Sequence, residues 1–303
     1  MIKNKAKFFP LGIALFAAFA SCTGALDSAT ESSGPLVAAH RGGAMHRPEN
    51  TLVAFHHAVE LGADVLEFDM VMTADDELVV HHDAQINPAL CTPAEGSALE
   101  AGPIRALTYQ QTQQFDCGSL VREIYDVPGY VADPGARMPK VDTVLGEFSK
   151  TQVAFYAETK VPRPMEGISD IDPVKFASLI DQLVRKHGLE DRFTLQSGDY
   201  RTIDALHDIN PRIRTCLLGA HNWEHRRFLE TLNQHHASCI LLRDSVVDRA
   251  EVAQLQEAGI QIYSEVTDKP EDWQSYLDLG VDVLFTNDPG GLIDFLGERS
   301  IEK

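Results

Sequence analysis

Between residues 36 and 83 the chain gathers, in order, His40-Arg41-Gly42, Pro48-Glu49-Asn50-Thr51, Glu67-Phe68-Asp69 and His82-Asp83. Each polar cluster follows a short apolar run or alternates within one, which is how side chains are presented at the carboxyl end of a buried parallel strand. Glu67 and Asp69 stand two apart in a strand-like segment, so both carboxylates leave the same face of the sheet. Two like charges that close need a cation or a proton between them. His40 and His82 are imidazoles able to act as general base and general acid near neutral pH. The guanidinium of Arg41 adds a planar fork suited to a phosphate. A lone Glu-x-Asp or His-Asp is ordinarily surface decoration, but four such signals in order, with apolar runs on both sides, are hard to obtain that way. Together they point to phosphoryl chemistry.

This order of motifs resembles the glycerophosphodiester phosphodiesterase family, most closely in the first fifty residues of the stretch and more loosely to about residue 296. The resemblance implies a TIM barrel that hydrolyses deacylated phospholipids with a divalent cation, releasing glycerol 3-phosphate and an alcohol. It implies that His40 and His82 are the acid/base pair. Glu67 and Asp69 would bind the metal, joined by Glu158 of Tyr156-Ala157-Glu158-Thr159-Lys160, and Lys160 and Arg41 would face the phosphate. Glu49 would sit in the first strand-to-helix loop, near the metal or orienting Arg41. Of His81 and His82, the one directly before Asp83 matches the motif. An oxygen-only carboxylate set suits Mg²⁺ or Ca²⁺. Later segments match less well: Gln196-Ser197-Gly198-Asp199 has glycine for an aromatic, and Tyr263-Ser264-Glu265-Val266-Thr267 departs from the family's strand-seven pattern. Three rivals are set beside this reading, one of them a barrel glycosidase, which would also place acidic residues at strand ends but has no use for His40, Arg41 and His82 together. A phospholipase-type enzyme of the same fold would act on intact lipid, and an exported binding protein that had lost catalysis would lack a histidine or carboxylate, of which none is missing here.

The elements that must position these residues alternate along the chain. Apolar β-like runs fall at 36–39, 65–71 with a hairpin return at 77–81, 153–157, 193–195, 213–218, 239–242, 260–264 and 283–285. Helical patterns at 174–187, 200–208, 225–235 and 250–258 lie between them. Eight strands alternating with helices predict a (β/α)8 barrel with its site at the carboxyl ends of the strands. From about 84 to 137 the alternation breaks, proline and glycine recur, and only 108–115 reads as helical. An excursion that long after the second strand is expected on the catalytic face, as a small lid or substrate-gating insertion. Cys91 and Cys117 bracket it, and a disulfide between them would offset its lack of core in an oxidising compartment. Cys216 and Cys239, in candidate barrel strands, are expected to be buried thiols.

Residues 1–22 read as a secretion signal. Lys3, Lys5 and Lys7 precede an apolar run over 8–20 that is shorter than the roughly 20 residues of a spanning helix. Cys22 after Phe19-Ala20-Ser21 resembles a lipoprotein box, in which the cysteine is lipidated and becomes the mature terminus; ordinary cleavage nearby is the other possibility. Residues 23–35 read as a flexible tether, and 36–303 as the barrel. The chain is therefore expected to be exported, as a periplasmic protein or a membrane-anchored lipoprotein. Its formal net charge is −19, and removing the three signal lysines leaves −22. Such a surface repels nucleic acid and anionic lipid alike, so the expected partner is a small-molecule substrate and the membrane is reached only through an anchor on Cys22. An anionic substrate then needs a locally positive site, which Arg41, Lys160 and a bound divalent cation would supply.

Overall fold

The computed structural model describes residues 34–125, 127–160, 171–218, 228–242 and 248–301. The signal, Cys22 and most of the tether lie outside the described residues, as do His221 and His225. Eight parallel strands form a closed barrel: β1 (Leu36–Ala39), β2 (Val65–Met72), β3 (Ala154–Thr159), β4 (Phe193–Ser197), β5 (Arg214–Leu217), β6 (Cys239–Leu242), β7 (Gln261–Ser264) and β8 (Val283–Thr286). Each pairs with the next, and β1 pairs with both β2 and β8 to close the circle. Helices alternate with them: α1 (Leu52–Leu61), α2 (Val141–Phe148), α3 (Pro173–His187), α4 (Tyr200–Ile209), α5 (Phe228–Gln234), α6 (Arg249–Glu257), α7 (Pro270–Leu279) and, after β8, α8 (Pro289–Ile301). This is the (β/α)8 barrel expected from the alternation. Among the described residues no helix is long and apolar enough to cross a membrane.

The strands are apolar because both faces are covered. Alternate residues point inward, where Ala38, Val65, Tyr156, Cys216, Cys239, Tyr263, Val283 and Phe285 form a buried cluster. Tyr156 packs on Tyr263 with ring centroids 4.6 Å apart and on Phe285 at 5.0 Å, so the barrel floor is filled. Residues between them point outward to the helices and build the main core, with Phe55, Phe68, Phe155, Phe176 and Phe193 fully buried. Local signals set the helix ends. Asp172 caps α3 with Pro173 in its first turn, and the left-handed Gly188 ends it. Pro270 and Gly280 bracket α7 in the same way.

β3, β4 and β8 run one or two residues beyond their apolar patterns, to Thr159, Ser197 and Thr286. These polar tips keep pairing with their neighbours, but their side chains serve the catalytic face and carry no apolar pattern. β7 ends at Ser264, which is buried with its Oγ accepting from the Phe285 amide at 2.9 Å, while Val266 packs against the interior apolar cluster. The departure from the family pattern at this strand therefore fills space with a structural hydroxyl and an aliphatic side chain. Cys216 and Cys239 are register partners on β5 and β6 and are buried free thiols.

A short strand, Leu78–Val80, returns antiparallel to β2 and leads into the insertion. There Thr92–Pro93 pairs with Phe115–Asp116, and a single helical turn, Tyr109–Thr112, is closed by a Thr108–Gln111 capping box. The helical expectation over 108–115 is thus shortened: Phe115 leaves the helix to pair in the ladder and to anchor a separate apolar cluster with Val71, Val79, Ile104 and Met138. Cys91 and Cys117 are joined in a disulfide within that cluster.

Candidate active site

The chemistry-bearing residues stand one layer above the filled floor. Ala39 is in register with Leu66 on one side and Thr286 on the other, so His40 comes level with Glu67 and Asn287. Asp69 is the register partner of Glu158, and Glu158 that of Gln196. Strand register therefore brings together residues up to about 250 positions apart.

The loop after β1 is tightly constrained. Arg41 has a left-handed φ of +52°, a sparsely used conformation costing on the order of 1 kcal/mol for a non-glycine residue. Gly42 follows at φ +82°, where a Cβ would lie 2.8 Å from the Ala54 Cβ of α1, so only glycine fits. The strain is offset by partners: the Arg41 amide donates to Glu67 Oε2 at 2.7 Å, and the Asn50 amide donates to the Arg41 carbonyl at 2.9 Å. Glu49 orients Arg41, taking its Nη1 at 2.7 Å. The Arg41 Nε lies 3.4 Å from Asp69 Oδ2 and donates to His40 Nε2 at 3.2 Å.

That last bond defines the tautomer of His40. Asp268 is acceptor-only and receives the Asn287 side-chain amide nitrogen at 2.8 Å, so Asn287 must turn its Oδ1 toward His40, where it accepts from Nδ1 at 2.7 Å. Nδ1 carries the proton, and the lone pair of Nε2 accepts from Arg41 Nε. Burial, and then the neighbouring Arg41 guanidinium, push the His40 pKa down to about 4, so the ring is neutral.

Glu67, Asp69 and Glu158 each offer a carboxylate oxygen within 4.8 Å of the others, the geometry of a site that could hold a metal ion. Burial, reinforced by Asp69, raises the pKa of Glu67 well above the usual range; burial also raises that of Glu158. Asp69, although burial pushes the other way, is held below the carboxylate range by Lys160 and Arg41. It also accepts from Asn50 Nδ2 at 2.8 Å. Lys160 reaches Glu158 Oε1 at 2.6 Å and Asp69 Oδ1 at 3.1 Å, and these carboxylates raise its pKa despite burial. Gln196 Nε2 donates to the other Glu158 oxygen at 3.3 Å.

The two consecutive histidines part company. His81 is buried with its Nε2 making no hydrogen bond in the structure. His82 lines an open cavity of about 280 Å³ together with Arg41, Asp83, Arg122 and Tyr125. Its Nδ1 pairs with Asp83 Oδ1 at 2.7 Å, a hydrogen bond that holds the Asp83 pKa down to about 2. His40 and His82 both lie within electrostatic reach of Asp69. Every residue singled out in the sequence for this site thus converges on one end of the barrel.

Residues 40–291 match the model of the glycerophosphoryl diester phosphodiesterase family. The chain belongs to that family. It is 24% identical to a glycerophosphodiester phosphodiesterase of Bacillus subtilis, over 84% of this chain and 84% of that one. It is 25% identical to another from Caldanaerobacter subterraneus, over 86% and 97%. A phosphodiesterase from Oleispira antarctica, solved in complex with the product sn-glycerol-3-phosphate, has the same fold with a TM-score of 0.70, at 20% identity over 88% of this chain and 98% of that one.

Within this family member, four site residues went unread in the sequence. Gln196 lies inside a segment that resembles the family's pattern and Asn287 just beyond the last apolar run, but neither carries a charge to draw attention. Asp268 and Arg122 sit in loops without a motif, and only the fold brings them to His40 and Glu49.

Proposed function

We propose that this chain hydrolyses glycerophosphodiesters to glycerol 3-phosphate and an alcohol, by two-histidine acid/base catalysis with one divalent cation, Mg²⁺ or Ca²⁺. The observation that carries the reading is the pair of imidazoles flanking one carboxylate cluster, each braced through Nδ1 on a side-chain oxygen, Asn287 Oδ1 for His40 and Asp83 Oδ1 for His82, which leaves the Nε2 of each ring for proton transfer. Glu67, Asp69 and Glu158 fit a hard cation because their donors are all oxygen and mutually close. Bound there, the cation would supply Lewis-acid polarisation of a non-bridging phosphoryl oxygen.

The remaining work falls to the chain itself. Arg41 and Lys160 bind the phosphoryl oxygens and stabilise charge that builds on them. As Arg41 Nε turns from His40 to a phosphoryl oxygen it frees Nε2, which takes the proton from the attacking 2-hydroxyl of the glycerol moiety, whose tethering gives it a large effective molarity. A P–O bond forms to that oxygen as the bond to the alcohol breaks, and His82 Nε2–H returns a proton to the departing alkoxide. Water then opens the resulting cyclic phosphate with the two histidines in exchanged roles. The Cys91–Cys117 disulfide supports export to an oxidising compartment, with processing at or near Cys22 and membrane contact only through lipid on that cysteine.

The test is glycerol 3-phosphate release by the purified mature chain from glycerophosphocholine, glycerophosphoethanolamine and glycerophosphoinositol, with and without chelator. Release that stops on chelation and returns with Mg²⁺ or Ca²⁺ is expected. No release from any diester, or release indifferent to chelation, would overturn the reading.

A further inference from the structure

Glu49 is buried, its side chain only 5% exposed, and its two oxygens take two different guanidinium groups. Arg41 Nη1 donates to Oε1 at 2.7 Å and Arg122 Nη1 to Oε2 at 3.0 Å. Arg41 comes from the loop after β1. Arg122 comes from the insertion, 73 residues beyond Glu49. Burial alone would favour the neutral carboxyl, yet the two guanidinium groups hold the Glu49 pKa down, so the pair of contacts is charge-assisted on both sides.

Where Glu49 holds Arg41 matters to the chemistry. The Arg41 fork also touches His40 Nε2 and lies beside Asp69. A carboxylate with a single guanidinium partner tends to pair with it through both oxygens, fork to fork. Here Oε2 is occupied by Arg122, so Arg41 meets Glu49 through Nη1 alone and its Nε stays on His40. The insertion segment bearing Arg122 is itself anchored. Its Val131 amide donates to the His46 carbonyl at 3.0 Å, the Cys91–Cys117 disulfide closes its base, and the Arg122 guanidinium lies over the Tyr125 ring at 5.4 Å.

We infer that Arg122 is a positioning residue for the reaction, acting on Arg41 through Glu49, so that the insertion completes the site rather than merely covering it. This rests on the proposed phosphodiesterase reading.

The experiment is a double-mutant cycle on the mature chain with glycerophosphocholine, measuring kcat, KM and Tm for wild type, Arg122→Ala, Glu49→Gln and the double variant, with Arg122→Lys alongside. Arg122→Ala is expected to lower kcat/KM on the order of 10- to 100-fold, the cost of a lost charge-assisted contact and a misplaced fork. Arg122→Lys should recover most of that, because an ammonium also serves Oε2. In the Glu49→Gln background, Arg122→Ala should add less than about twofold, since the path runs through the carboxylate. A full Arg122→Ala effect persisting in that background, whether in KM as for direct substrate contact or with a matching fall in Tm as for a merely structural role, would overturn the inference. Wild-type inactivity on the diesters sinks the functional reading itself, whereas an active wild type with an unchanged Arg122→Ala variant sinks only the role of Arg122.

Discussion

Asn287→Leu tests whether the tautomer of His40 is set by the chain. Leucine keeps the branching of asparagine at Cγ but removes the acceptor on His40 Nδ1 and the donor to Asp268 Oδ2. Asp268 retains the Asn287 backbone amide at 2.6 Å and the Thr286 hydroxyl at 3.0 Å, so the loop stays tied and Tm should fall by only a few degrees. His40 becomes an imidazolium as it takes the proton, which makes Nδ1–H···Oδ1 a bond to a charged group in the transition state. Such bonds are worth about 1.5–3 kcal/mol, or roughly 10- to 150-fold in kcat, with KM little changed because the contact lies behind the ring. Asp268→Asn should cost only a few-fold, since a neutral amide can still orient Asn287 but no longer compels it. Steady-state glycerol 3-phosphate release, with thermal melts as the folding control, reads all three proteins. A kcat within twofold of wild type in Asn287→Leu, with intact Tm, would refute the claim that this relay prepares the base.

Three further outcomes follow from the geometry. His82→Ala should lose about 10²- to 10⁴-fold in kcat, whereas His81→Ala, a buried ring outside the cavity lined by His82, should cost about 1–3 kcal/mol of stability and little activity; reversed results would show that the wrong histidine has been assigned. His40 is a histidine whose folded pKa is depressed to about 4, so the base is present above that value; kcat/KM should hold as pH falls from 7 toward 5 and drop through about 4, while any stability it contributes is intact above 6.5 and erodes as pH falls from 6.5 to 4. An acid limb near 6.5 would contradict the buried, neutral ring. Replacing both Cys91 and Cys117 with serine opens a loop spanning 26 residues and should cost about 3.5 kcal/mol by chain entropy, read as a lower Tm and new protease cleavage confined to 84–137; unchanged resistance there would show that the apolar cluster alone holds the insertion.

The barrel and the charged half of the site were legible because both obey short periodicities. Strands β1 and β6 coincide with their apolar runs, and Glu67 and Asp69 announce a shared face through two-residue spacing alone. What stayed hidden is what depends on closure. Asn287 reaches His40 across 247 positions only because β1 is the neighbour of β8, and Asp268 orients that amide from the preceding loop. Asp268 has no local pattern to betray it, and Asn287, in a segment that resembles the family's strand-eight ending, carries no charge that marks a role. The insertion was legible as an interruption but not as a structure, because its order comes from a disulfide, a two-residue ladder and one capped turn, none of which produces periodicity. Arg122 illustrates the loss: in sequence it is one more surface-like arginine, and in the fold it lies on a buried carboxylate.

The electrostatics explain how so acidic a chain handles an anion. Glu49, Glu67, Asp69 and Glu158 place four carboxylates at the site, against the cations Arg41, Lys160 and Arg122. Asp83 adds a fifth beside His82, so with every group ionised the carboxylates outnumber the cations, while burial, reinforced by Asp69, raises the pKa values of Glu67 and Glu158. A divalent cation held among the three carboxylates would offset that excess where a phosphodiester monoanion binds. Substrate affinity should therefore depend on the cation before any bond is broken. The general acidity of the surface then acts in the same direction, since it weakens binding of polyanions everywhere except at this centre.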